Sequence, residues 1–306
     1  MSAPILPANL PTDHAAAVKR VRDGISDSSL STLRDIDGHK TRARPTTRAV
    51  AQMVVTDGGR TRIDQDGRLH LPFWPLRELA IGNHRLCPNA ESDFHPFMDQ
   101  ACVTGSTAAL IGPRHVLTAA HCVMVNNIVS HHFVFERTHH ASHVQVDVEQ
   151  RELIVDRSNY STARSLVAYV KTPLVDWAVI ELYEDVEHIE PLPVGRWNPA
   201  LQADFVGHPL GLPLKLADIR PRKIAGGQAP NFLIDVDNGG GGSGSPIIQS
   251  GALVGVLRGA AGIDPQIRVE AGAGRCVDPS RVSNPRPQPF TPASCFADCL
   301  SHLIGW

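Results

Sequence analysis

Residues 106–122 read Ser-Thr-Ala-Ala-Leu-Ile-Gly-Pro-Arg-His-Val-Leu-Thr-Ala-Ala-His-Cys. Ser106 to Ile111 is an apolar run of strand length, Gly112-Pro113-Arg114 is a turn signal, and His115 to Thr118 resumes an extended segment. Strand, tight turn and strand in so short a stretch is the rhythm of an antiparallel β-protein. That rhythm recurs downstream. Val144-Gln145-Val146-Asp147-Val148 alternates, the stretch starting at Trp177-Ala178-Val179-Ile180 is a further strand, and Phe232-Leu233-Ile234 and Ala252 to Leu257 follow. With 25 glycines and 24 prolines, many short strands joined by turns are expected rather than long helices. The spacing predicts an all-β sandwich or barrel. The last segment, Pro292 to Trp306, reads as a helix, with Cys295 and Cys299 one turn apart on one face.

Upstream the texture differs. His14 to about Leu33 has helix-like apolar spacing, interrupted by Gly24 and a serine cluster. Asp35 to Thr47 is polar, carries Lys40, Arg42, Arg44 and Pro45, and reads as a linker. Residues 1–72 are therefore expected to be an N-terminal extension, either a prosegment or regulatory arm or a weakly ordered tail. Residues 73–306 are expected to form the domain. The balance of 29 basic against 31 acidic side chains gives no reason to expect nucleic acid or an acidic membrane surface as partner. No apolar run reaches the roughly 18 residues a membrane helix needs.

A second pattern is chemical. Gly239-Gly240-Gly241-Gly242-Ser243-Gly244-Ser245-Pro246 runs directly into the apolar pair Ile247-Ile248. A glycine run alone reads as a flexible linker, but a proline and apolar residues directly after it argue for a fixed turn. No lysine follows for a phosphate-binding loop, and Ser245 stands where the last glycine of a hydrolase elbow belongs. A serine hydroxyl is a weak nucleophile at neutral pH and needs a neutral imidazole to take its proton as it attacks. The imidazole in turn needs a carboxylate on its other nitrogen.

Thr118-Ala119-Ala120-His121-Cys122 and the Ser243 segment together resemble the trypsin/chymotrypsin-like serine proteases, over roughly residues 95–260. Gly-Ser-Gly-Ser-Pro is nearest in form to their glutamyl endopeptidase branch. The resemblance implies two antiparallel β-barrels with a C-terminal helix. It also implies a serine endopeptidase working through an acyl-enzyme, with Ser243 as nucleophile, His121 as general base and an aspartate between them in sequence. Asp176, opening Asp176-Trp177-Ala178-Val179-Ile180-Glu181-Leu182, matches the family's aspartate followed by a buried strand; Asp147 and Asp156 lack that continuation. The family's oxyanion hole maps to the backbone N–H groups of Gly241 and Ser243. Digestive relatives carry an acidic residue before the nucleophile that pairs with a new N-terminus, whereas here that position is Gly242, so activation by that ion pair is not expected.

For the substrate pocket the resemblance implies Asp237, Asn238, Arg258 and Gly259. Asp237, in the place of a pocket-floor aspartate, would select Arg or Lys before the scissile bond. Arg258 would bind an acidic side chain or point into solvent, and small or apolar preference stays open. Six cysteines, at 87, 102, 122, 276, 295 and 299, suit an exported disulfide-bearing protein, although no signal peptide is visible in Met1 to Leu10. Extracellular or periplasmic residence is thus the expectation. In relatives the cysteine after the histidine bridges to an upstream strand, which makes Cys102–Cys122 the implied disulfide, with two free thiols as the alternative. His131, His132, His139, His140 and His143 match no compact ligand pattern and are expected in a solvated loop, with no metal and no cofactor. The expected partner is a protein or peptide substrate of a monomeric enzyme. The competing reading is a binding protein derived from a catalytically inactive protease.

Overall fold

The computed structural model describes residues 33–36, 45–56, 59–81, 84–85, 97–123, 125–172, 174–219, 222–223, 232–234, 240–258, 267–270, 274–277 and 288–304. Six strands close an antiparallel barrel: His115–Thr118, Asp176–Leu182, Tyr160–Lys171, His131–Phe135, Val50–Val55 and Ser106–Gly112, in that order around the wall. Its interior is filled by Val50, Met53, Leu110, Leu117, Phe133, Val179 and their neighbours, all fully or almost fully buried. The long strand Tyr160–Lys171 shifts register twice against Asp176–Leu182, at Ala163/Ser165 and Leu166/Ala168. Such bulges bend a strand enough to wrap a small barrel.

The second half is an eight-stranded antiparallel sheet among the described residues. Its centre is Lys215–Ile219, Ala203–Gly207, Pro246–Gln249, Ala252–Leu257 and Gln288–Pro292. Phe205, Ile247, Leu257 and Phe290 form its core. The architecture is the mostly-β, barrel-based one expected. A C-terminal helix is present as Ala297–Ile304. It starts later than the sequence reading has it, because Ala293–Cys295 is a separate 3-10 turn. Leu300 and Phe296 are buried, and the Phe296 ring lies 6.0 Å from that of Trp177, so the helix braces the strand that begins at Asp176.

Three expectations are corrected. The chain does not divide at residue 72: Val50–Val55 is a wall strand of the closed barrel, paired on both sides with His131–Phe135 and Ser106–Gly112. Leu69–Pro72 pairs with Glu152–Val155 in a further four-stranded sheet. The polar look of the preceding segment hid this strand. Inside the presumed linker, Arg34–Asp35 pairs with Lys215–Ile219, and Pro45–Arg48 is a helical turn. The second correction concerns His131 and His132, which are buried on a barrel strand, not in a solvated loop; His139 and His140 are exposed. Third, Cys102 and Cys122 are free thiols. Cys102 lies in the core of the second half and Cys122 packs against the core of the first. Cys87 lies outside the described residues, as does the side chain of Cys276.

The barrel wall makes a prediction. A truncated chain starting at residue 73 lacks a strand whose six residues carry five buried positions, and opening the barrel leaves two ladders unpaired. Its thermal unfolding, followed by circular dichroism, is expected to lose the cooperative transition of the full chain. Retention of that transition would show that Val50–Val55 is dispensable.

Candidate active site

His121 sits in a 3-10 turn, Ala120–Cys122, at the end of the barrel strand His115–Thr118. Asp176 opens the neighbouring strand, which pairs with that strand through Thr118↔Ala178. This register sets the two side chains beside each other. One carboxylate oxygen of Asp176 accepts from the His121 backbone N–H at 3.0 Å, and the other meets Nδ1 at 2.5 Å. Asp176 is largely buried while the His121 side chain is about one-third exposed, at 34 %. The rivals Asp147 and Asp156 have other tasks: Asp147 accepts from the Gln150 N–H, and Asp156 precedes a 3-10 turn.

Ser243 belongs to the second half and is brought to the same seam by its neighbours. Its carbonyl accepts from the Thr107 N–H at 2.9 Å. Gly244 has φ +84° and leaves no room for a side chain, since a Cβ there would lie 2.0 Å from the Thr107 carbonyl and 2.2 Å from Thr118 Oγ1. Gly241 has φ +90°, a conformation that L side chains avoid, and it packs against the His208 carbonyl and the Gly211 N–H. The glycine run is therefore a fixed turn held against both halves. Of the residues singled out by sequence, His121 and Asp176 are paired directly, and Gly241 and Ser243 are held to the barrel through Thr107. Asp237, Asn238 and Gly259 lie outside the described residues.

Nε2 of His121 has an unexpected neighbour. Its hydrogen-bond partner is Cys122 Sγ at 3.4 Å, and no hydrogen bond joins it to Ser243 among the described residues. The hydrogen bond from Asp176 and, second, the contact with Cys122 raise the imidazole pKa from its ordinary 6.5 to about 10, against the lowering effect of burial. Arg258 does not point into solvent. It is 6 % exposed, and burial lowers its pKa while the negative charge of Asp176 works in the other direction. Its guanidinium is thus a charge neighbour of the Asp176 carboxylate.

Sequence reasoning missed the threonines that hold this seam. Thr107 Oγ1 donates to the Gly241 carbonyl at 3.1 Å and accepts from the His208 N–H at 3.0 Å. Thr118 Oγ1 donates to the Thr107 carbonyl at 2.7 Å. Thr291, on the other half, accepts from the Asp176 N–H at 3.0 Å. The available signal was a hydroxyl in an otherwise apolar strand, because a buried hydroxyl must find partners. Among the described residues no group of three or more His, Cys, Asp or Glu side chains converges as a metal site.

Residues 105–256 match the sequence family described as trypsin-like peptidase domain. No curated protein matches the chain. Among solved structures, the Vibrio cholerae VesB protease is similar with a TM-score of 0.50 and 12 % identity, covering 89 % of this chain and 67 % of that one. The scabies mite inactivated protease paralogue S-D1 is similar with a TM-score of 0.51 and 12 % identity, over 91 % of this chain and 97 % of that one. Paralogue S-I1 from the same mite gives 0.50 and 14 %, over 90 % and 99 %. At such identities the likeness is one of fold. With the strand order, the His121–Asp176 pair and the Ser243 turn already in place, the chain has the fold of the trypsin-like proteases, and its residues 105–256 are similar to the trypsin-like peptidase domain.

Proposed function

We propose that this chain is a serine endopeptidase that cleaves peptide bonds through an acyl-enzyme, with Ser243, His121 and Asp176 as its triad. The observation that carries the reading is the double clasp of Asp176 on the backbone and ring of His121. It fixes the ring with Nδ1 occupied, which leaves Nε2 as the nitrogen that accepts a proton. Ser243 Oγ attacks the substrate carbonyl while Nε2 takes its proton. The oxyanion is met by the N–H groups of Gly241 and Ser243. The imidazolium then protonates the leaving amine, and water, activated by the same nitrogen, releases the acyl group.

Substrate approach closes the gap between Ser243 and Nε2, as hydrogen bonds of this kind tighten on substrate binding. The contact between Nε2 and Cys122 favours a second reading, a catalytically inactive protease-like binding protein. Two of the similar structures are inactivated protease paralogues of the scabies mite, which is consistent with that alternative.

For substrate preference we extend the proposal to Arg or Lys before the scissile bond, read by Asp237, six residues before Ser243. The rival, cleavage after acidic residues of the kind seen in the glutamyl endopeptidase branch, needs a free positive charge in the pocket. Arg258 is buried near Asp176 and is a poor source of one.

Three measurements test this. A fluorophosphonate probe is expected to label Ser243 in the wild-type chain and to leave Ser243→Ala unlabelled. Ser243→Ala and His121→Ala are each expected to lower turnover on the order of 10⁴-fold or more, and the double variant little further, because the residues act as one unit. Absence of labelling supports the inactive alternative. On an arginine substrate, Asp237→Ser is expected to lower kcat/KM by about tenfold or more, with small-residue substrates little changed. Equal losses on both would remove Asp237 from the pocket.

The pH profile follows from the raised His121 pKa. A general base must be unprotonated, so kcat/KM rises with pH as His121 loses its proton, and the acidic limb lies above the ordinary histidine range. Cys122→Ala removes one cause of the upward shift, so its limb is expected at lower pH. Asp176→Asn removes the larger cause and also the tautomer lock, so its limb is expected to move down while maximal turnover falls about 10⁴-fold. A limb that stays in place in both variants would show that another group is titrating.

A further inference from the structure

The peptide between Gly240 and Gly241 decides whether the oxyanion hole exists. The Gly240 carbonyl accepts a hydrogen bond from the Leu210 N–H. The peptide is trans, so its N–H points opposite to its carbonyl. While Leu210 holds the carbonyl on one side, the Gly241 N–H is presented on the other. Leu210 reaches this position by strain: φ is +54° and ψ +19°, the left-handed region that a leucine avoids, and Gly211 follows with φ +72°. Something must hold that turn.

Three anchors do so. The Gly211 carbonyl accepts from the Val103 N–H at 2.9 Å and from Arg137 Nη1 at 3.0 Å. The Leu212 carbonyl lies 2.9 Å from His208 Nδ1. The Pro213 carbonyl accepts from Lys215 Nζ at 3.0 Å. Lys215 is fully buried, and its other hydrogen bonds go to Gln100 Oε1 at 2.7 Å and to Asp35 Oδ1 at 2.6 Å. Gln100 Nε2 donates to the second oxygen of Asp35 at 2.7 Å, closing a ring of three side chains. Asp35 belongs to the short segment that precedes the barrel. The two ends of that segment are buried, Leu33 in the core of the second half and Ile36 in that of the first, while Arg34 is exposed. The segment therefore spans both halves and delivers one carboxylate to a buried ammonium.

We propose that Asp35 is a positioning residue for the oxyanion turn: through Lys215 and the Pro213 carbonyl it holds the strained Leu210–Gly211 turn, and with it the Gly240–Gly241 peptide, in the orientation that receives the substrate oxygen. Burial pushes the Lys215 pKa down to about 8, and Asp35 is the carboxylate that counters this. Remove it, and the ammonium is left buried without a counter-charge, a state it leaves by losing its proton or by swinging outward. Either route loosens the Pro213 contact. The Leu33–Ile36 segment then works as an internal activator, coupling its own seating across both halves to the oxyanion turn.

The turnover part of this inference rests on the proposed peptidase activity, whereas the structural part does not, and the experiment separates them. Amide hydrogen exchange, resolved to single residues, is measured on the full chain and on Asp35→Asn and Asp35→Glu, together with kcat and KM on a peptide substrate. Asp35→Asn is expected to exchange at Leu210 and Gly211 about tenfold faster or more, with Val116, Val179 and Ile180 of the barrel unchanged. Its kcat is expected to fall about tenfold at nearly constant KM, because a lost oxyanion donor acts on the transition state. Asp35→Glu is expected to recover most of both. Unchanged exchange at Leu210 and Gly211 overturns the proposal, and so does acceleration spread evenly over the barrel, which would make Asp35 a general stabiliser. Should Asp35→Asn not fold, Asp35→Asn/Lys215→Met removes the buried charge with its partner. Fast exchange confined to Leu210 and Gly211 in that variant supports the proposal, and protection there overturns it. A wild-type chain without turnover defeats the peptidase reading alone, and the exchange measurements still decide the role of Asp35.

Discussion

Two buried threonines hold the halves of this molecule in register, and the candidate site exists only because they do. Thr107 stands on the closed barrel and takes hold of Gly241 and Ser243 from the other half. Thr291 stands on that other half and takes hold of the backbone of Asp176 at the start of a barrel strand. Each threonine both donates and accepts, so its hydroxyl is satisfied without water and its geometry is specified on two sides. A buried hydroxyl with one partner removed costs about 1–3 kcal/mol. These contacts therefore punish sliding of one half over the other, where apolar packing alone would tolerate it. The His121–Asp176 pair inherits its position from one side of this seam and the Ser243 turn from the other.

Charge is distributed around the seam with equal economy. Arg137, Lys215 and Arg258 are all buried. Among the described residues Arg137 donates to carbonyls only, those of Gly211 and Ala101, and burial lowers its pKa to about 10. Lys215 has Asp35, and Arg258 lies in the field of Asp176. His208, fully buried between them, has its pKa held well below 6.5 and stays neutral. Buried cations are expensive unless paired or hydrogen-bonded. Here Arg137 and Lys215 grip the carbonyls of Gly211 and Pro213, in the loop that backs the glycine turn. The same loop holds Leu210 in a left-handed conformation that costs a leucine of order 1–2 kcal/mol, so the strain and its restraints lie in one place.

The strands and the chemistry-bearing residues were legible for local reasons. Ser106–Gly112 and Ala252–Leu257 announce themselves as apolar runs between turn signals. His121 and Ser243 stand in short motifs whose neighbours are dictated by backbone geometry, the glycines at 241 and 244 by positive φ. Val50–Val55 was not legible as core, because the segment before it is polar and pattern reasoning extended that character too far. His131 and His132 misled for a similar cause. Histidines clustered in sequence look solvated, yet strand geometry buries both, with His132 satisfied by Thr162 and His131 by the Ile128 carbonyl.

Residue type and periodicity act over a few neighbours, so the sequence by itself determined the β-class, the glycine turn at Ser243, the histidine and the aspartate that could partner it. Tertiary structure alone decided what those groups touch. It set Cys122 against Nε2 of His121 and left Cys102 in a separate core, against the expected disulfide. It buried Arg258 near Asp176 instead of leaving it to solvent. It carried Asp35 across 180 residues of chain to Lys215. Contacts between residues so far apart depend on the register and closure of sheets, which no local pattern encodes, and a buried charge is recognisable as such only once the fold has removed its water.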